Sequence, residues 1–170
     1  MTFDEMKIKL GRELSTKRYN HSLGTMEEAE KLALVYGADK EKARIAGLLH
    51  DCGKSINEND NLTHAITSAN LARTNYDICD EDIINAILYH TTGRENMGIL
   101  EKIVFIADKI EKNRHYDGIE ELREKAYRNI DEALINSLES TIDYVNTRNL
   151  ELDIESIKTL NFLRRKNEFR

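Results

Sequence analysis

The 170-residue chain contains no proline and no tryptophan, and only two cysteines. The absence of proline favours long, uninterrupted helices, because proline removes a backbone donor and breaks a helix. No apolar run approaches the roughly 20 residues of a membrane span, and the residues after Met1 lack the charged-then-apolar pattern of a secretion signal. Cys52 and Cys79 form neither a CxxC pair nor a disulfide framework. We therefore expect a cytoplasmic protein with reduced thiols.

Basic residues are fewer than acidic ones, with 25 Lys and Arg against 31 Asp and Glu, which gives a net charge of −6. A net acidic chain is poorly suited to nucleic acid or to an anionic membrane, so we expect neither as a partner. A ligand that carries phosphates must then be bound by a metal or by a local cluster of cations. The balance of 33% charged and 40% hydrophobic residues is that of a folded globular protein.

Apolar residues recur at helical spacing, and we find no strand alternation of useful length, no repeat and no linker-like segment. Helix starts are predicted at Thr2, Asp39 and Asp80, whose side chains can accept backbone N–H groups, and a helix end is predicted at Gly37. Residues 15–20 are predicted to form a polar turn before a helix that begins near His21. We predict an all-α, single-domain bundle over residues 1–170. In it, C-terminal helices pack onto a metal-bearing core of about residues 17–125.

Four of the five histidines lie at the ends of predicted helices, and two aspartates accompany them. Each residue alone has an ordinary explanation, such as a helix cap or a core carboxylate that accepts backbone hydrogen bonds. Together, imidazoles and carboxylates on converging helices suit a divalent first-row metal. The spacing alone leaves the metal site and the structural explanation equally open. The residues are His21, His50, Asp51, His64, His90 and Asp108.

Four segments, in order, resemble the HD superfamily of metal-dependent phosphohydrolases, and most closely its YqeK-like branch. The resemblance covers about residues 17–125. That branch consists of symmetrical dinucleoside tetraphosphatases, which use a bound iron to split diadenosine tetraphosphate into two ADP, so we expect this substrate and product here. Asn113 departs from the branch, where proline is expected, and Gly53 departs where alanine is common. The segments are residues 17–25 (KRYNHSLGT), 48–54 (LLHDCGK), 90–94 (HTTGR) and 106–114 (IADKIEKNR).

The resemblance implies a metal site, a catalytic group and a set of substrate contacts. A metal would lower the pKa of bound water from 15.7 toward about 7 and polarise a phosphoryl oxygen. The implied metal ligands are His21, His50, Asp51 and Asp108. The implied catalytic residues are Asp51, Lys54, His64 and His90. The implied substrate contacts are Arg18, His21, Lys54, His64, His90, Thr91, Thr92, Arg94, Lys109 and Arg114.

Several alternatives stay open at this stage. Asp51, His64 and His90 can hold a second ion, although we favour a single one. The alternative for Lys54 is that it is an exposed loop lysine. The alternative for Arg94 and Arg114 is that they pair with neighbouring glutamates. The rival functions are another nucleotide phosphohydrolase on the same metal site and a metal-containing nucleotide sensor. A homodimer is also left open.

Overall fold

The computed structural model describes residues 1–61 and 63–168. In this part of the chain the structure has nine α-helices, one 3₁₀ helix and no strand, which confirms the all-α prediction. None of the described helices is long and apolar enough to cross a membrane. The elements are α1 (Phe3–Glu13), α2 (Thr16–Tyr36), α3 (Lys40–Leu49), the 3₁₀ helix (Cys52–Ser55), α4 (His64–Asn75), α5 (Glu81–Leu88), α6 (Ile99–Ile110), α7 (Ile119–Arg128), α8 (Ile130–Thr147) and α9 (Ile154–Glu168).

The predicted helix caps are confirmed. The Glu5 amide donates to Thr2 Oγ1 at 3.3 Å, and the Thr2 amide donates to the Glu5 carboxylate at 2.7 Å, so both halves of a capping box are formed. Asp39 and Asp80 each accept two backbone N–H groups at the starts of α3 and α5. Gly37 ends α2 with a positive φ of 66°, which glycine adopts without strain.

The predicted turn at residues 15–20 is wrong, because α2 already begins at Thr16. The Tyr19 amide donates to the Ser15 carbonyl at 2.8 Å, and residues 16–20 contain no glycine or proline that would interrupt a helix. His21 therefore lies in the second turn of α2, one turn after Arg18. Both side chains reach the same carboxylate oxygen: Arg18 Nη1 lies 3.4 Å and His21 Nε2 lies 4.0 Å from Asp51 Oδ2.

Helix α6 runs through the centre of the bundle and contacts α2, α3, α5, α7 and α8. Nearly all of its side chains are buried, and one apolar cluster extends from Met6 in α1 to Leu163 in α9. A buried ion pair between Lys102 Nζ and Asp131 Oδ1, at 2.5 Å, ties α6 to α8. The last turn of α6, which carries Asp108, therefore meets the ends of α3 and α5 inside the protein, with α8 fixed across from it.

Candidate metal centre and substrate cleft

Two helices deliver a histidine to the centre in the same way. His50 follows α3 and its Nδ1 lies 2.8 Å from the Gly47 carbonyl, while His90 follows α5 and its Nδ1 lies 2.7 Å from the Ile87 carbonyl. A carbonyl oxygen only accepts, so Nδ1 carries the proton in each ring, and in the neutral form the Nε2 lone pair is free. The two rings meet edge to face with centroids 4.9 Å apart. Each helix end thus aims one unprotonated nitrogen at the same buried region.

The four predicted metal ligands converge. His21 Nε2 lies 2.9 Å from Asp108 Oδ1 and 3.2 Å from His50 Nε2. His50 Nε2 lies 3.6 Å from Asp108 Oδ1 and 3.8 Å from Asp51 Oδ2. All four side chains are buried. His21, His50 and Asp51 offer ligand atoms that all lie within 4.8 Å of one another, and Asp108 Oδ1 contacts both imidazole nitrogens of this group. The four residues come from α2, from α6 and from the turn after α3.

Asp51 also faces a second group of ligand-type residues through its other oxygen. Oδ1 lies 3.4 Å from His64 Nε2 and 3.6 Å from His90 Nε2, and these two nitrogens are 3.2 Å apart. His64 Nδ1 is buried and has no hydrogen-bond partner among the described residues. Because the hydrogen bond of His90 Nδ1 leaves its Nε2 as an acceptor, the contact between the rings assigns the donor N–H to His64 Nε2. His64 therefore differs from the other three histidines, whose Nδ1 atoms all have partners.

The charges of the centre favour a cation. The pKa values of Asp51 and Asp108 are lowered: burial opposes ionisation, but His50 and His90 outweigh it at Asp51, and Lys109 and His21 do so at Asp108. Burial likewise opposes protonation of His21, yet its hydrogen bonds to Asp108 and to a further carboxylate raise its pKa to about 9. Two buried, ionised carboxylates require a positive charge beside them. This mixed nitrogen and oxygen donor set fits a divalent first-row metal.

Glu111 belongs to the centre and was not singled out from the sequence. It is the residue after α6 and is 1% exposed; its Oε1 lies 3.1 Å from His21 Nδ1, and its Oε2 accepts from the Asn113 amide at 2.7 Å. A carboxylate behind a ligating histidine fixes the ring and its tautomer. Gly24 makes the approach feasible, because a Cβ there would lie 2.0 Å from Glu111 Oε2. The sequence signal is a carboxylate one turn after Asp108 together with a glycine one turn after His21.

The loop after α6 is held from α7. Arg123 donates to three loop carbonyls, including those of Glu111 at 3.0 Å and Arg114 at 3.2 Å. Arg114 in turn donates from Nε to the Asp108 carbonyl at 3.0 Å and from Nη2 to Asp108 Oδ1 at 2.8 Å. The guanidinium of Arg114 therefore orients a predicted metal ligand from the edge of the site.

A cleft of about 380 Å³ opens beside the ligands. Cationic side chains line it although the whole chain is net acidic, which supplies the local positive charge that a phosphate ligand needs. The other wall comes from α8 and the residues that follow it, which the sequence did not connect with the site. The cations are Arg18, Lys54, Lys109 and Arg114, the carboxylates are Asp51, Asp108, Glu151 and Asp153, and the other wall includes Thr141, Val145, Leu152 and Ser156.

Lys54 is not an exposed loop lysine, since it is only 4% exposed. Its Nζ donates to the Asp60 carbonyl and to Asn61 Oδ1, the latter at 3.0 Å, so one of its three N–H groups is left for a ligand in the cleft. Burial lowers the pKa of Lys54, and nearby Asp51 opposes that shift. Thr91 and Thr92 line the same cleft, as do His64 and His90.

Two predicted substrate contacts lie elsewhere. Arg94 donates from Nε and Nη2 to the Glu101 carboxylate at 2.8 and 2.7 Å, its guanidinium lies 4.7 Å from the Tyr89 ring centroid, and it is not among the described residues that line the cleft. Pairing with a neighbouring glutamate, the alternative considered for Arg94, is the arrangement found. His21 also does not line the cleft, because its ring lies behind the carboxylates and contacts the other ligands.

Comparison with known proteins places this geometry among relatives. The family model described as HD domain matches residues 18–113, which include every predicted ligand. A protein named bis(5'-nucleosyl)-tetraphosphatase, symmetrical, from Halalkalibacterium halodurans is 38% identical, and the alignment covers 88% of this chain and 90% of that protein. A protein of the same name from Bacillus subtilis is 34% identical over 96% of this chain and 98% of its own. A crystal structure of a predicted HD superfamily hydrolase involved in NAD metabolism, from Clostridium acetobutylicum, is 39% identical and superposes with a TM-score of 0.91 over 98% of both chains.

Proposed function

This chain belongs to the HD domain family, and we propose that it hydrolyses dinucleoside tetraphosphates symmetrically, splitting diadenosine tetraphosphate into two ADP. The observation that carries the proposal is the position of the four-ligand centre at a cleft lined by four cations, where ion and phosphates can meet. The nearly full-length relatives that bear the symmetrical tetraphosphatase name support the same activity.

The residues that would hold the metal are His21, His50, Asp51 and Asp108. An ion held there supplies Lewis acidity, which activates water near neutral pH and polarises a phosphoryl oxygen. We assign iron to this position, as the branch that the sequence resembles implies. Glu111 orients the ring of His21, and the Gly47 carbonyl orients that of His50.

We propose a single ion. His21 and His50, in the first group, both have a partner on Nδ1, and outer partners of this kind strengthen metal binding. The second group shares Asp51 and contains His64, whose Nδ1 has no partner among the described residues, so no outer group strengthens metal binding there; in the free protein its Nε2 donates a proton to His90. That proton can be donated to a phosphate oxygen, and His90, which accepts it in the free protein, holds the His64 ring in place. In this proposal His64 and His90 contact the phosphates beside the single ion and do not bind a second one.

The four cations of the cleft approach the phosphate chain from two sides, next to Asp51 and next to Asp108. Lys54 presents its remaining N–H beside Asp51, and Arg18 reaches the same carboxylate from α2. Lys109 and Arg114 contact Asp108 from the other side, with Lys109 Nζ 2.9 Å from Oδ2. Charge-assisted contacts of these groups with phosphate oxygens stabilise the developing negative charge of the transition state.

The test is product analysis. Metal-analysed protein is incubated with a panel of nucleoside mono- and polyphosphates and dinucleoside polyphosphates, and the products are separated by chromatography. We expect diadenosine tetraphosphate to yield ADP alone. ATP with AMP, cleavage of other nucleotides in preference, or binding without turnover would replace the proposal with one of its rivals.

The number of ions is tested separately. With one ion, His90→Ala should lower turnover and leave the metal content per chain unchanged. Two ions in the wild-type chain and one in His90→Ala would establish the two-metal alternative, in which His64 and His90 are ligands.

A further inference from the structure

A second cleft, of about 590 Å³, adjoins the metal cleft. The two clefts share Lys109, Arg114 and Thr141, so they form one continuous groove with these three residues at the junction. Helix α8 lies along both parts: Thr141 is at the junction, and Tyr144 and Asn136 line the second cleft. A ligand whose middle lies at the metal centre can therefore extend past the junction into this cleft.

The cations of the groove lie on the metal side of the junction and at the junction itself: four line the first cleft, beside Glu151, Asp153 and the proposed ligands Asp51 and Asp108. Lys109 and Arg114 are the cationic side chains among the described residues that line the second cleft, and both also line the first. Beyond them the lining contains Asp117 and Glu121 and otherwise neutral groups. Because no described cation lines the second cleft past the junction, phosphates are better stabilised on the metal side of the junction than beyond it. The part of a ligand that enters the second cleft is therefore an uncharged one.

The second cleft offers aromatic surface. Tyr116 and Tyr144 line it and are 46% and 54% exposed. The Tyr116 hydroxyl donates to the Lys109 carbonyl at 2.8 Å, which fixes that side chain beside the junction. The guanidinium of Arg148 lies 5.0 Å from the Tyr144 ring centroid, so a cation already occupies one side of this ring while more than half of the side chain stays accessible. Aromatic rings of this kind are surfaces on which nucleobases stack.

A half-buried amide completes the cleft. Asn136 lies in α8 and has no hydrogen-bond partner among the residues that the structure describes. A carboxamide carries both a donor and an acceptor and can pair with the amino group and ring nitrogen of adenine. The neutral cleft thus combines stacking surface with one side chain that can read a base edge.

We propose that the second cleft binds the nucleoside at the far end of the substrate, so that a dinucleoside tetraphosphate spans both clefts across the junction formed by Lys109, Arg114 and Thr141. The inference rests on the proposed function, since it concerns the half of the substrate that leaves as the second ADP. In this proposal α7 and α8 select substrates that carry a nucleoside at that end over substrates that end in a free phosphate.

The experiment compares two substrates with the same four phosphates, diadenosine tetraphosphate and adenosine 5′-tetraphosphate, which lacks the second nucleoside. The metal-loaded protein and its variants are assayed for kcat/KM on both. Tyr144→Ala should lower kcat/KM for diadenosine tetraphosphate by about five- to a hundredfold, the usual effect of losing a base–aromatic stack, and should change adenosine 5′-tetraphosphate by less than about twofold. Tyr144→Phe should restore the preference because it keeps the ring.

Tyr127→Ala is the matched control, since it removes a partly exposed tyrosine whose hydroxyl instead contacts Glu28. It should leave the ratio of the two kcat/KM values unchanged. Asp117→Lys should raise the relative rate on adenosine 5′-tetraphosphate, because it replaces a carboxylate beyond the junction with a cation that attracts the free phosphate end of this substrate. The ratio does not depend on the fraction of protein that is folded.

The outcomes separate the two proposals. No ADP from diadenosine tetraphosphate with the wild-type protein overturns the proposed function and the subsite together. Normal ADP formation with an equal loss on both substrates in Tyr144→Ala, or with no loss on either, overturns the subsite alone.

Discussion

The two walls of the groove are built differently. On the wall formed by α2 to α6, each proposed metal ligand is buried and held by a second group. Glu111 holds His21, a backbone carbonyl holds His50, Arg18 holds Asp51 and Arg114 holds Asp108. On the wall formed by α7 and α8, Tyr144 is half exposed and Asn136 has no hydrogen-bond partner within the described part of the chain. The contrast indicates that the reacting end is oriented before a ligand arrives, whereas the recognition wall keeps its hydrogen-bonding capacity for the ligand itself.

The same contrast predicts how substitutions distribute their effects. A change on the buried wall disturbs several groups at once, because the ligands contact one another at 2.9 to 4.0 Å. A change on the exposed wall alters one contact with substrate and leaves the metal in place. Metal content is therefore the measurement that distinguishes the two walls.

The largest effect is expected for Asp51→Ala. Asp51 is the residue that the two described histidine groups share, so its loss removes a ligand and leaves His64 and His90 without their carboxylate. Losing the ion costs several kcal/mol of transition-state stabilisation, which corresponds to a fall in turnover of about 10³-fold or more. Activity, metal content and far-UV circular dichroism should be measured together. We expect the first two to be lost and the helical spectrum to be kept.

Asp82→Ala, which removes an exposed aspartate at the start of α5, is the control and should retain metal and activity. If the Asp51→Ala protein kept full metal content and normal turnover, Asp51 would not be a metal ligand. The proposed difference between the metal-holding wall and the recognition wall would then lack support.

A smaller effect on the same wall is expected for Glu111→Gln. The amide keeps the size and an acceptor for His21 Nδ1 but loses the charge that raises the basicity of the ring. Substitution of such outer partners usually costs ten- to a hundredfold in metal affinity, which metal titration can measure. Gly24→Ala should produce a similar loss by a different route, because its Cβ would displace the Glu111 carboxylate.

Glu27→Gln provides the control on the exposed face of α2, where Glu27 pairs only with Lys112. Unchanged metal affinity in both Glu111→Gln and Gly24→Ala would mean that the carboxylate serves the fold and not the ion.

The sequence predicts the ends of helices better than it predicts the tertiary contacts that these ends make. Thr2, Asp39 and Asp80 cap helices through contacts within three residues, so local pattern was sufficient to predict them. The polarity of residues 15–20 predicts a turn, which is wrong because no residue there breaks a helix and α2 begins at Thr16. The proposed ligand set comes from the resemblance of four ordered segments to the HD superfamily, because His and Asp at helix ends leave a metal site and a structural explanation equally open.

The remaining site residues depend on tertiary contacts that no local pattern encodes. Glu111 acts through a histidine 90 positions earlier in the chain, and Arg123 acts through the carbonyls of a loop. Arg94 was predicted as a substrate contact but pairs with Glu101, seven residues later. The sequence around it does not distinguish an arginine that forms this ion pair from one that is free to bind phosphate. The wall from α8 carries no histidine, and the sequence predicts it only as one of the C-terminal helices that pack onto the core.

Substitution of Arg114, which lines the metal cleft, and of Arg94, which does not, should have different effects on kcat/KM. Arg114→Ala should lower kcat/KM by roughly ten- to a hundredfold, because it removes a charge-assisted contact with phosphate and also releases Asp108. Arg94→Ala should change kcat/KM by less than about twofold and lower stability by about 1 kcal/mol, as expected for a surface ion pair with good geometry. Arg114→Lys should recover part of the activity, since an ammonium cannot form the same two-pronged contact.

The arginine pair is also informative through metal content, which Arg114→Ala should reduce and Arg94→Ala should not. Equal losses of activity in the two variants would contradict the position of Arg94 away from the cleft.

The smallest effect is expected from the two thiols, which report how closed the buried wall is. Cys52 follows Asp51 directly, is fully buried and donates from Sγ to the Ser68 carbonyl, and burial raises its pKa to about 12. At pH 8 this thiol remains protonated and inaccessible, whereas Cys79, in the segment between α4 and α5, is exposed. Alkylation of the native protein at pH 8 should therefore label one thiol per chain, at Cys79, and leave turnover unchanged within about twofold, because Cys79 contacts neither cleft. Denaturant should expose the second thiol. Rapid labelling of Cys52 in the native state, with loss of activity, would show that the ligand wall opens as readily as the recognition wall, and the distinction between an oriented centre and an adaptable wall would then fail.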